Sequence, residues 1–256
     1  MARIFISGSS EGLGLMAGQL LAEQGHQVVL HARNAQRAED ARRALPAAEA
    51  VVEGDVLTIA GTRALADSLN DLGRFDGIIH NVGVGYREPR RIETEDGLPH
   101  VFAINVMAPY VLTCLMQRPA RLVYLSSGMH QHAHANLGDA LWTQRRWDGS
   151  TAYESKLLDV LLAFAVARLW PSVLSNSLEP GWVPTRMGGP SAPDDMDQAP
   201  RTQAWLAVSD DPPARVTGQY FYHMRPRASN PEASDTALQD RLLDISQRHS
   251  GTALPL

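Results

Sequence analysis

The sequence predicts an α/β fold, in which a mostly parallel, doubly wound sheet of seven strands carries helices on both faces. Short β-rich runs alternate with longer segments of helical periodicity along the whole chain, as in successive βαβ units. No change in composition and no internal repeat divides the chain. Its 256 residues, 44% of them hydrophobic, are enough to bury one large core. We therefore expect a single domain over residues 1–256.

The predicted elements follow one another in regular order. Strands are expected at 3–7, 27–32, 50–54, 75–80, 121–127, 173–180 and 217–223. Helices are expected at 12–25, 34–44, 58–72, 98–116, 153–169 and 235–248. Parallel strands need such crossover segments between them, so this order favours a parallel sheet.

Three segments are predicted to be loops: residues 83–92, 128–150 and 187–200. Each follows one of the predicted strands. Ligands of open α/β sheets bind outside the carboxyl ends of the strands, and loops longer than about a dozen residues are commonly functional. We expect these loops to wall a substrate site, with plain solvated connections as the alternative.

Composition and charge exclude several classes of protein. The formal net charge is −5, and basic residues form no run longer than a pair, which argues against a nucleic-acid partner. The longest apolar segment, 157–170, is interrupted by Asp159 and Arg168 and is too short to cross a membrane. The single cysteine, Cys114, lies in an apolar run and is expected to be a core thiol. No secretion signal is recognised before the first strand, so a cytoplasmic protein is expected.

A glycine-rich turn follows the first predicted strand and opens the first helix. Such a turn brings backbone N–H groups and the positive end of a helix close to a pyrophosphate. Because strand, turn and helix occur in this order, a dinucleotide site on a Rossmann-type fold is predicted, against a turn without a ligand. The predicted phosphate-binding residues are Gly8, Ser9, Ser10, Glu11, Gly12, Leu13 and Gly14.

Arg33 lies at the tip of the second predicted strand, followed by Asn34. At this point an acidic residue binds the ribose hydroxyl of NAD, whereas a cation binds the 2′-phosphate of NADP. The next carboxylates are Glu39 and Asp40, further along the chain. The sequence therefore predicts NADP(H) rather than NAD(H), with Arg33 and Asn34 at the phosphate. An NAD-preferring site with a solvated arginine is the alternative.

Further motifs occur along the chain: GDV at 54–56, HNVG at 80–83, INV at 104–106, SSG at 126–128, Tyr153 with Lys156, and PGWVPT at 180–185. Together with the glycine turn, they resemble the short-chain dehydrogenase/reductase family over nearly the whole chain. The AYESKL run, the YFYH segment and the interval from Ser127 to Tyr153 are most similar to its retinol-dehydrogenase-like branch.

The resemblance implies interconversion of a small carbonyl compound and an alcohol by hydride transfer. Tyr153 would be the acid/base, and Lys156 would stabilise its phenolate and hold the nicotinamide ribose. A phenol titrates near pH 10, and an adjacent ammonium lowers that value by about 1–3 units. Ser127 would hydrogen-bond the substrate oxygen, and Asn105 would support a water that links Lys156 to solvent.

The resemblance also implies the remaining cofactor contacts. Asp55 would bind the adenine amino group, Asn81 would line the adenosine, and Thr185 would bind the carboxamide. Their motif neighbours are included in the predicted cofactor site: Val56, Val82, Gly83, Pro180, Gly181 and Val183. A homodimer or homotetramer is implied as well, because members of the family pair through long helices.

The sequence departs from the family pattern at the predicted acid/base. The family has three residues between Tyr and Lys, but only Glu154 and Ser155 intervene here. This turns the Lys direction by about 100° around a regular helix, although both spacings share a face. A weakly active or non-catalytic protein that binds NADP(H) is therefore the alternative function. His80 and Val82 also replace the family's usual Asn and Ala.

The histidine cluster His130, His132 and His134 suggests a metal, but no carboxylate or thiol lies near it in the sequence. We interpret these residues as solvated or substrate-rim histidines and predict no metal site. Trp182 is expected to wall the substrate pocket, with a buried core aromatic as the alternative. Apolar candidates suggest a substrate with some apolar surface: Val84, Tyr86, Met129, Trp182 and Met187.

Overall fold

The computed structural model describes residues 1–85, 88–148, 150–185 and 187–256. Its strands are β1 (Arg3–Ile6), β2 (Gln27–Ala32), β3 (Ala50–Glu53), β4 (Gly77–His80), β5 (Arg121–Leu125), β6 (Leu174–Glu179), β7 (Tyr220–Tyr222) and β8 (Arg225–Pro226). They form one sheet in the order β3-β2-β1-β4-β5-β6-β7-β8. Strands β1 to β7 are parallel, so the predicted doubly wound Rossmann-type α/β fold is confirmed.

The expected count of seven strands is short by one, because β8 pairs antiparallel with β7 at the edge of the sheet. Only two residues form β8, and one of them is Pro226. A proline has no N–H for a further partner and is tolerated on an edge strand. His223 and Met224 turn the chain between β7 and β8 with φ of 48° and 59°. Neither the two residues of β8 nor the turn before them shows the alternation of apolar and polar residues by which a strand is recognised in a sequence.

The helices are α1 (Gly12–Glu23), α2 (Ala35–Ala44), α3 (Ile59–Asp71), α4 (His100–Phe102), α5 (Ala108–Leu115), α6 (Ser150–Leu169), α7 (Arg201–Val208) and α8 (Thr236–Ser250). The helix expected at 98–116 is divided by a π-helical turn over Ala103–Met107. Helix α7 was not predicted, because its buried face includes the polar Thr202 and Gln203. No helix within the described residues is long and apolar enough to cross a membrane.

The sheet separates two apolar cores. Neighbouring residues of β1 point to opposite faces, so that Phe5 enters the core with α3, α5, α6 and α8, and Ile4 enters the core with α1 and α7. Ile78 and Ile79 of β4 alternate in the same way. Burial of each such side chain stabilises the fold by about 1.5–3 kcal/mol. Cys114 is buried, as expected, and its burial raises the pKa of the thiol to about 12.

The glycine turn between β1 and α1 packs directly on the segment after β4. A Cβ on Gly14 would lie 2.5 Å from Asn81 Nδ2 and 2.7 Å from Gly8 O. A Cβ on Gly8 would lie 2.9 Å from Val82 Cα. These positions therefore exclude a side chain, which explains the glycines on packing grounds alone. The strand order reverses between β1 and β4, and this is where open α/β sheets bind ligands.

We expect Gly14→Ala to lower the free energy of unfolding by about 1–3 kcal/mol, because the added methyl group overlaps atoms that have no space to move. Urea unfolding measures the change. Gly138→Ala is the matched control, since its Cβ would have Arg241 Nη2 at 3.8 Å, an ordinary contact. Equal effects of the two substitutions would contradict this account of the turn.

His80, at the end of β4, is buried, and its Nε2 lies 3.1 Å from Thr113 Oγ1, which in turn lies 2.8 Å from the Tyr124 hydroxyl. Burial lowers the pKa of His80 from 6.5 to about 3. The unfolded chain therefore binds a proton at His80 below about pH 6.5, whereas the folded protein does not until about pH 3. Acid consequently favours the unfolded state across this range.

Because of His80, we expect the free energy of unfolding to fall by up to about 1.4 kcal/mol for each pH unit as the pH is lowered from about 6.5 to about 4. Thermal unfolding at a series of pH values measures the slope. His80→Asn should show a shallower slope than the wild type, because the titrating group has been removed. An unchanged slope in the variant would show that other groups cause the acid sensitivity.

Candidate active site

The glycine turn is held from below by His31 of β2. The N–H of Gly8 donates to His31 Nδ1 at 2.9 Å, and His31 Nε2 lies 2.8 Å from Gly54 O. Because Nδ1 accepts a hydrogen bond, the proton of the neutral ring is on Nε2. Burial lowers the pKa of His31, which keeps the ring neutral as these two bonds require. His31 therefore joins the turn to the end of β3.

The first turn of α1 offers free backbone N–H groups. Glu11 occupies the N-cap position but makes no side-chain capping bond, and the first turn carries no acidic residue. Uncapped N–H groups at a helix N-terminus bind anions readily. Ser10 is half-buried, whereas Glu11 and Gly12 are exposed. Ser9 is buried, and its hydroxyl donates to Ile6 O at 2.7 Å, which ties the turn to the end of β1.

The tip of β2 combines one exposed cation with a capped helix. Arg33 is exposed. Asn34 caps α2 by accepting the N–H of Arg37 at 3.0 Å, so its side chain shapes the tip. The Arg37 guanidinium lies 2.8 Å from the Glu11 carboxylate in the glycine turn. The Arg37 guanidinium thus balances the charge of Glu11, and the Arg33 side chain is exposed to solvent.

Asn81 fixes the far side of the same cleft. Its Nδ2 donates to Ser7 O at 3.1 Å and to Gly8 O at 2.8 Å. Val82 and Gly83 follow at half-buried positions. Across the cleft, the exposed Asp55 accepts the N–H of Leu57 at 3.0 Å, and Val56 is buried.

Asn105 lies in the π-helical turn and ties three segments together. Its Oδ1 accepts the N–H of Val84, and its Nδ2 donates to Val84 O, both at 2.8 Å. The same Nδ2 donates to Ser155 Oγ in α6 at 2.9 Å. A π-helical turn rotates the following residues relative to a regular α-helix, and such turns are frequent at functional sites.

Lys156 is buried, and its ammonium group lies between β5 and α6. Nζ donates to Leu125 O and to Asp159 Oδ2, both at 2.8 Å. A Cβ on Gly83 would lie 3.5 Å from Nζ, so the ammonium also faces the segment after β4. Burial raises the pKa of Asp159 to about 6, and Lys156 opposes that rise. At neutral pH the two side chains form a buried ion pair.

The two serines after β5 have different environments. Ser126 is buried, and its hydroxyl donates to Lys156 O at 2.6 Å, which anchors α6 to the sheet. Ser127 is half-buried, and its Oγ accepts the N–H of Met129 at 3.4 Å. Of the two, Ser127 has the hydroxyl with room to contact a ligand.

Tyr153 and Ala152 occupy adjacent positions in the first turns of α6. Tyr153 is 39% exposed. Ala152 is four residues before Lys156, the spacing at which the family has its tyrosine, and it is buried 3.3 Å from where a Cβ of Gly85 would lie. The helix is regular here, so the shortened spacing does place Tyr153 about 100° around α6 from Ala152.

The segment after β6 forms the last wall of the site. Gly181 has φ of 90°, and the N–H of Trp182 donates to the Asp194 carboxylate at 2.6 Å. Trp182 is 58% exposed, so the alternative of a buried core aromatic is wrong. Thr185 Oγ1 accepts the N–H of Gly188 at 3.1 Å. Pro180 is half-buried, and Val183 is buried.

Of the apolar residues suggested for the substrate, Val84 and Met129 are half-buried and Met187 is exposed. Tyr86 lies outside the described residues.

Two buried carboxylates beside the site were not recognised in the sequence. Glu154 accepts hydrogen bonds from Arg145 at 2.7 and 3.0 Å, and Glu179 pairs with Arg227. Asp159 is a third, noted in the sequence only as an interruption of an apolar run. The signal that the sequence offers for such a residue is a carboxylate within an apolar segment, because a carboxylate is rarely buried without a partner. Arg227 is 48 residues from Glu179 in the sequence, whereas Arg145 is nine residues from Glu154 and Lys156 is three residues from Asp159.

The three clustered histidines lie in different environments. His130 is buried, with Nδ1 2.8 Å from Ser127 O, and its Nε2 accepts the N–H of Asn230 at 3.2 Å. His134 pairs with Glu232 at 2.7 Å, and His132 is exposed. Among the described residues, no group of three or more His, Cys, Asp or Glu side chains is arranged to hold a metal ion.

Residues 2–132 match the short chain dehydrogenase family. Over its whole length the chain is 45% identical to the oxidoreductase AN7799 of Emericella nidulans, of which it covers 99%. It is 37% identical to the short-chain dehydrogenase chyC of Penicillium rubens, with both chains covered in full. Retinol dehydrogenase 13 of Mus musculus is 27% identical over 98% of this chain and 84% of its own.

Solved structures share the fold. A protein from Mycobacterium paratuberculosis superposes with a TM-score of 0.85 at 24% identity, covering 100% of this chain and 96% of its own. A blue fluorescent protein from a metagenomic library, in complex with NADPH, has a TM-score of 0.68 at 20% identity, covering 86% and 95%. The family match and the identity to full-length relatives show that this chain belongs to the short-chain dehydrogenase/reductase family of oxidoreductases, with retinol dehydrogenases among its relatives.

Proposed function

We propose that this oxidoreductase interconverts a small carbonyl compound and its alcohol, with NADP(H) as the cofactor. The observation that carries the proposal is the uncapped first turn of α1 together with the exposed Arg33. The helix N-terminus offers an anion site for the pyrophosphate, and Arg33 offers one for the 2′-phosphate. The blue fluorescent protein with the same fold was solved with NADPH, which supports a nicotinamide cofactor here. The absence of an acidic residue at the tip of β2 favours NADP(H) over NAD(H).

The residues of the cleft fit this cofactor. The N–H groups of the turn from Ser10 to Gly14 would bind the pyrophosphate, and Arg33 would bind the 2′-phosphate. Asp55 would bind the adenine, Asn81 would line the adenosine, and the segment 180–185 would bind the nicotinamide. When bound, the cofactor supplies or accepts the hydride.

Side chains of the protein would then donate and accept the proton of the reaction. In the reductive direction, the Tyr153 hydroxyl donates its proton to the carbonyl oxygen while Ser127 donates a hydrogen bond to the same oxygen. In the oxidative direction, the Tyr153 phenolate accepts the proton of the alcohol. Lys156 has two of its three N–H groups bound to Leu125 and Asp159, which leaves one for a ribose hydroxyl. Asn105 holds the segment after β4 against α6 and would support the water beside Lys156.

A non-catalytic protein that binds NADP(H) is the second candidate. It is favoured by Ala152 at the family's tyrosine position and by the Asp159 carboxylate that engages Lys156. Positioning errors of about 1 Å reduce catalysis strongly, so Tyr153 at the neighbouring position must reach the same carbonyl oxygen by a different path. Turnover of a panel of carbonyl compounds with NADPH separates the two candidates.

We also propose that the protein is cytoplasmic and forms a homo-oligomer. Light scattering of the purified protein tests the oligomeric state.

Arg33→Asp tests the choice of cofactor. Loss of a hydrogen bond to a charged phosphate removes about 1.5–3 kcal/mol, so we expect the Kd for NADPH to rise at least about tenfold while the Kd for NADH changes little. Calorimetry with both cofactors measures the constants. Arg43→Asp, the same charge change at an exposed position in the last turn of α2, is the control. An equal loss of affinity for both cofactors would rule out Arg33 as the phosphate ligand.

Tyr153→Phe tests the acid/base. Loss of a positioned proton donor reduces turnover by about 10²–10⁴, whereas the Kd for NADPH should stay unchanged. Steady-state kinetics and calorimetry measure the two quantities. Tyr222→Phe, which removes a half-buried hydroxyl from β7, is the control. Full turnover by Tyr153→Phe would exclude this residue as the acid/base.

A further inference from the structure

An ion pair connects the glycine turn to the start of α2. The Arg37 guanidinium lies 2.8 Å from the carboxylate of Glu11. Glu11 is the N-cap residue of α1, and Arg37 belongs to the first turn of α2. The proposed function places the pyrophosphate of the cofactor at the first of these helices and its 2′-phosphate at the tip of β2, directly before the second. The pair therefore links the two elements between which the adenosine side of the cofactor would bind.

Hydrogen bonds hold the two ends of this pair close together. Strands β1 and β2 are paired in parallel. Beyond them, the N–H of Ser9 donates to His31 O at 3.0 Å, and the N–H of His31 donates to Ser9 Oγ at 2.8 Å. Asn34 accepts the N–H of Arg37 at 3.0 Å, which fixes the backbone from which the guanidinium reaches the turn. The approach of Arg37 to Glu11 is thus set by the protein itself.

The pair is open to solvent. The side chain of Arg37 is 25% exposed and that of Glu11 is 60% exposed. Exposed ion pairs contribute little free energy, because water screens both charges. A guanidinium binds a phosphate group more strongly, through parallel charge-assisted hydrogen bonds to an anion with a charge of about −1.5 to −2 at pH 7. A 2′-phosphate beside the pair can therefore displace the carboxylate from Arg37.

The charged side chains further along α2 pair with one another. The Glu39 carboxylate lies 3.7 Å from Arg42 Nη1 and 3.4 Å from Arg43 Nε. Asp40 lies 3.3 Å from Arg43 Nη2, and Glu53 at the end of β3 lies 3.8 Å from Arg42 Nη2. These carboxylates therefore have cations of their own and do not engage Arg37.

The glycine turn and residues 33–37 carry three charges, those of Glu11, Arg33 and Arg37. Arg33 is exposed at the tip of β2, and Arg37 follows four residues later. Two guanidinium groups match the charge of a phosphate monoester better than one does. As long as Arg37 is held by Glu11, however, its charge is balanced by the carboxylate.

We infer that Arg37 is a second ligand of the 2′-phosphate and that Glu11 competes with this phosphate for it, so that the exchange sets the preference for NADPH over NADH. With NADH, the guanidinium stays on Glu11. With NADPH, it turns to the phosphate and the carboxylate is released to solvent. The preference for NADPH is therefore weaker than the two arginines alone would give. The inference rests on the proposed function and adds the residues that tune its choice of cofactor.

Calorimetry of the full-length protein with NADPH and with NADH tests the inference. Any effect of Glu11 on the pyrophosphate appears with both cofactors, so the measured quantity is the ratio of the Kd for NADH to the Kd for NADPH. We expect Glu11→Gln to raise this ratio about two- to fivefold, because the competing carboxylate is gone. We expect Arg37→Gln to lower it about five- to tenfold, because a charged phosphate contact is lost.

Two substitutions further along α2 are the matched controls. Glu39→Gln and Arg43→Gln make the same charge changes in residues that pair with each other, and both should leave the ratio unchanged. The double variant of Glu11→Gln and Arg37→Gln separates competition from simple repulsion. If Glu11 competes for Arg37, its substitution gains less when Arg37 is absent. An equal or larger gain would overturn the inference, as would an unchanged ratio in either single variant.

Adenosine 2′,5′-bisphosphate and 5′-AMP distinguish a failure of this inference from a failure of the proposed function. The two fragments differ only in the 2′-phosphate, and the ratio of their Kd values should shift in the same direction in each variant. If NADPH binds but the ratios do not move, the roles of Arg37 and Glu11 are wrong and the proposed cofactor stands. If neither dinucleotide binds, both are wrong. Glu11→Ala replaces Glu11→Gln if the latter does not fold, and failure of both to fold would overturn the inference by showing a structural role.

Discussion

The contact between the glycine turn and the carboxyl end of β4 is the constraint on which the rest of the cleft depends. Gly14 and Gly8 pack so closely on Asn81 and Val82 that no Cβ fits at either glycine. Asn81 donates two hydrogen bonds to carbonyl groups of the turn, and His31 accepts one from the N–H of Gly8. The side chains that hold the turn use its carbonyl groups and a single N–H, so the N–H groups at the start of α1 remain available to an anion.

The second constraint is electrostatic. Three carboxylates are buried around the carboxyl ends of β5 and β6, and each is paired with a cation: Asp159 with Lys156, Glu154 with Arg145, and Glu179 with Arg227. Buried ions are tolerated only in such pairs, so the cations are fixed where the carboxylates are. For Lys156 this means that its position is set by protein atoms before any cofactor binds.

The proposed acid/base illustrates how a helix converts sequence spacing into direction. Ala152 occupies the position from which the family's tyrosine acts, and it is buried against the segment after β4. Tyr153 is one residue further and therefore lies about 100° around α6 from Ala152, at a more exposed position.

The sequence by itself determined the order of βαβ units, the glycine turn and the cation at the tip of β2, because each depends on local patterns or on backbone conformations that only certain residues allow. It did not reveal α7, whose buried face is partly polar, or β8, which is two residues long. Only the tertiary structure decided which charges meet. Glu154 and Glu179 gain their partners through segments far apart in the chain or held in loops, and Asp159 becomes significant only when α6 is buried, because burial turns an ordinary carboxylate into one that must keep Lys156 beside it.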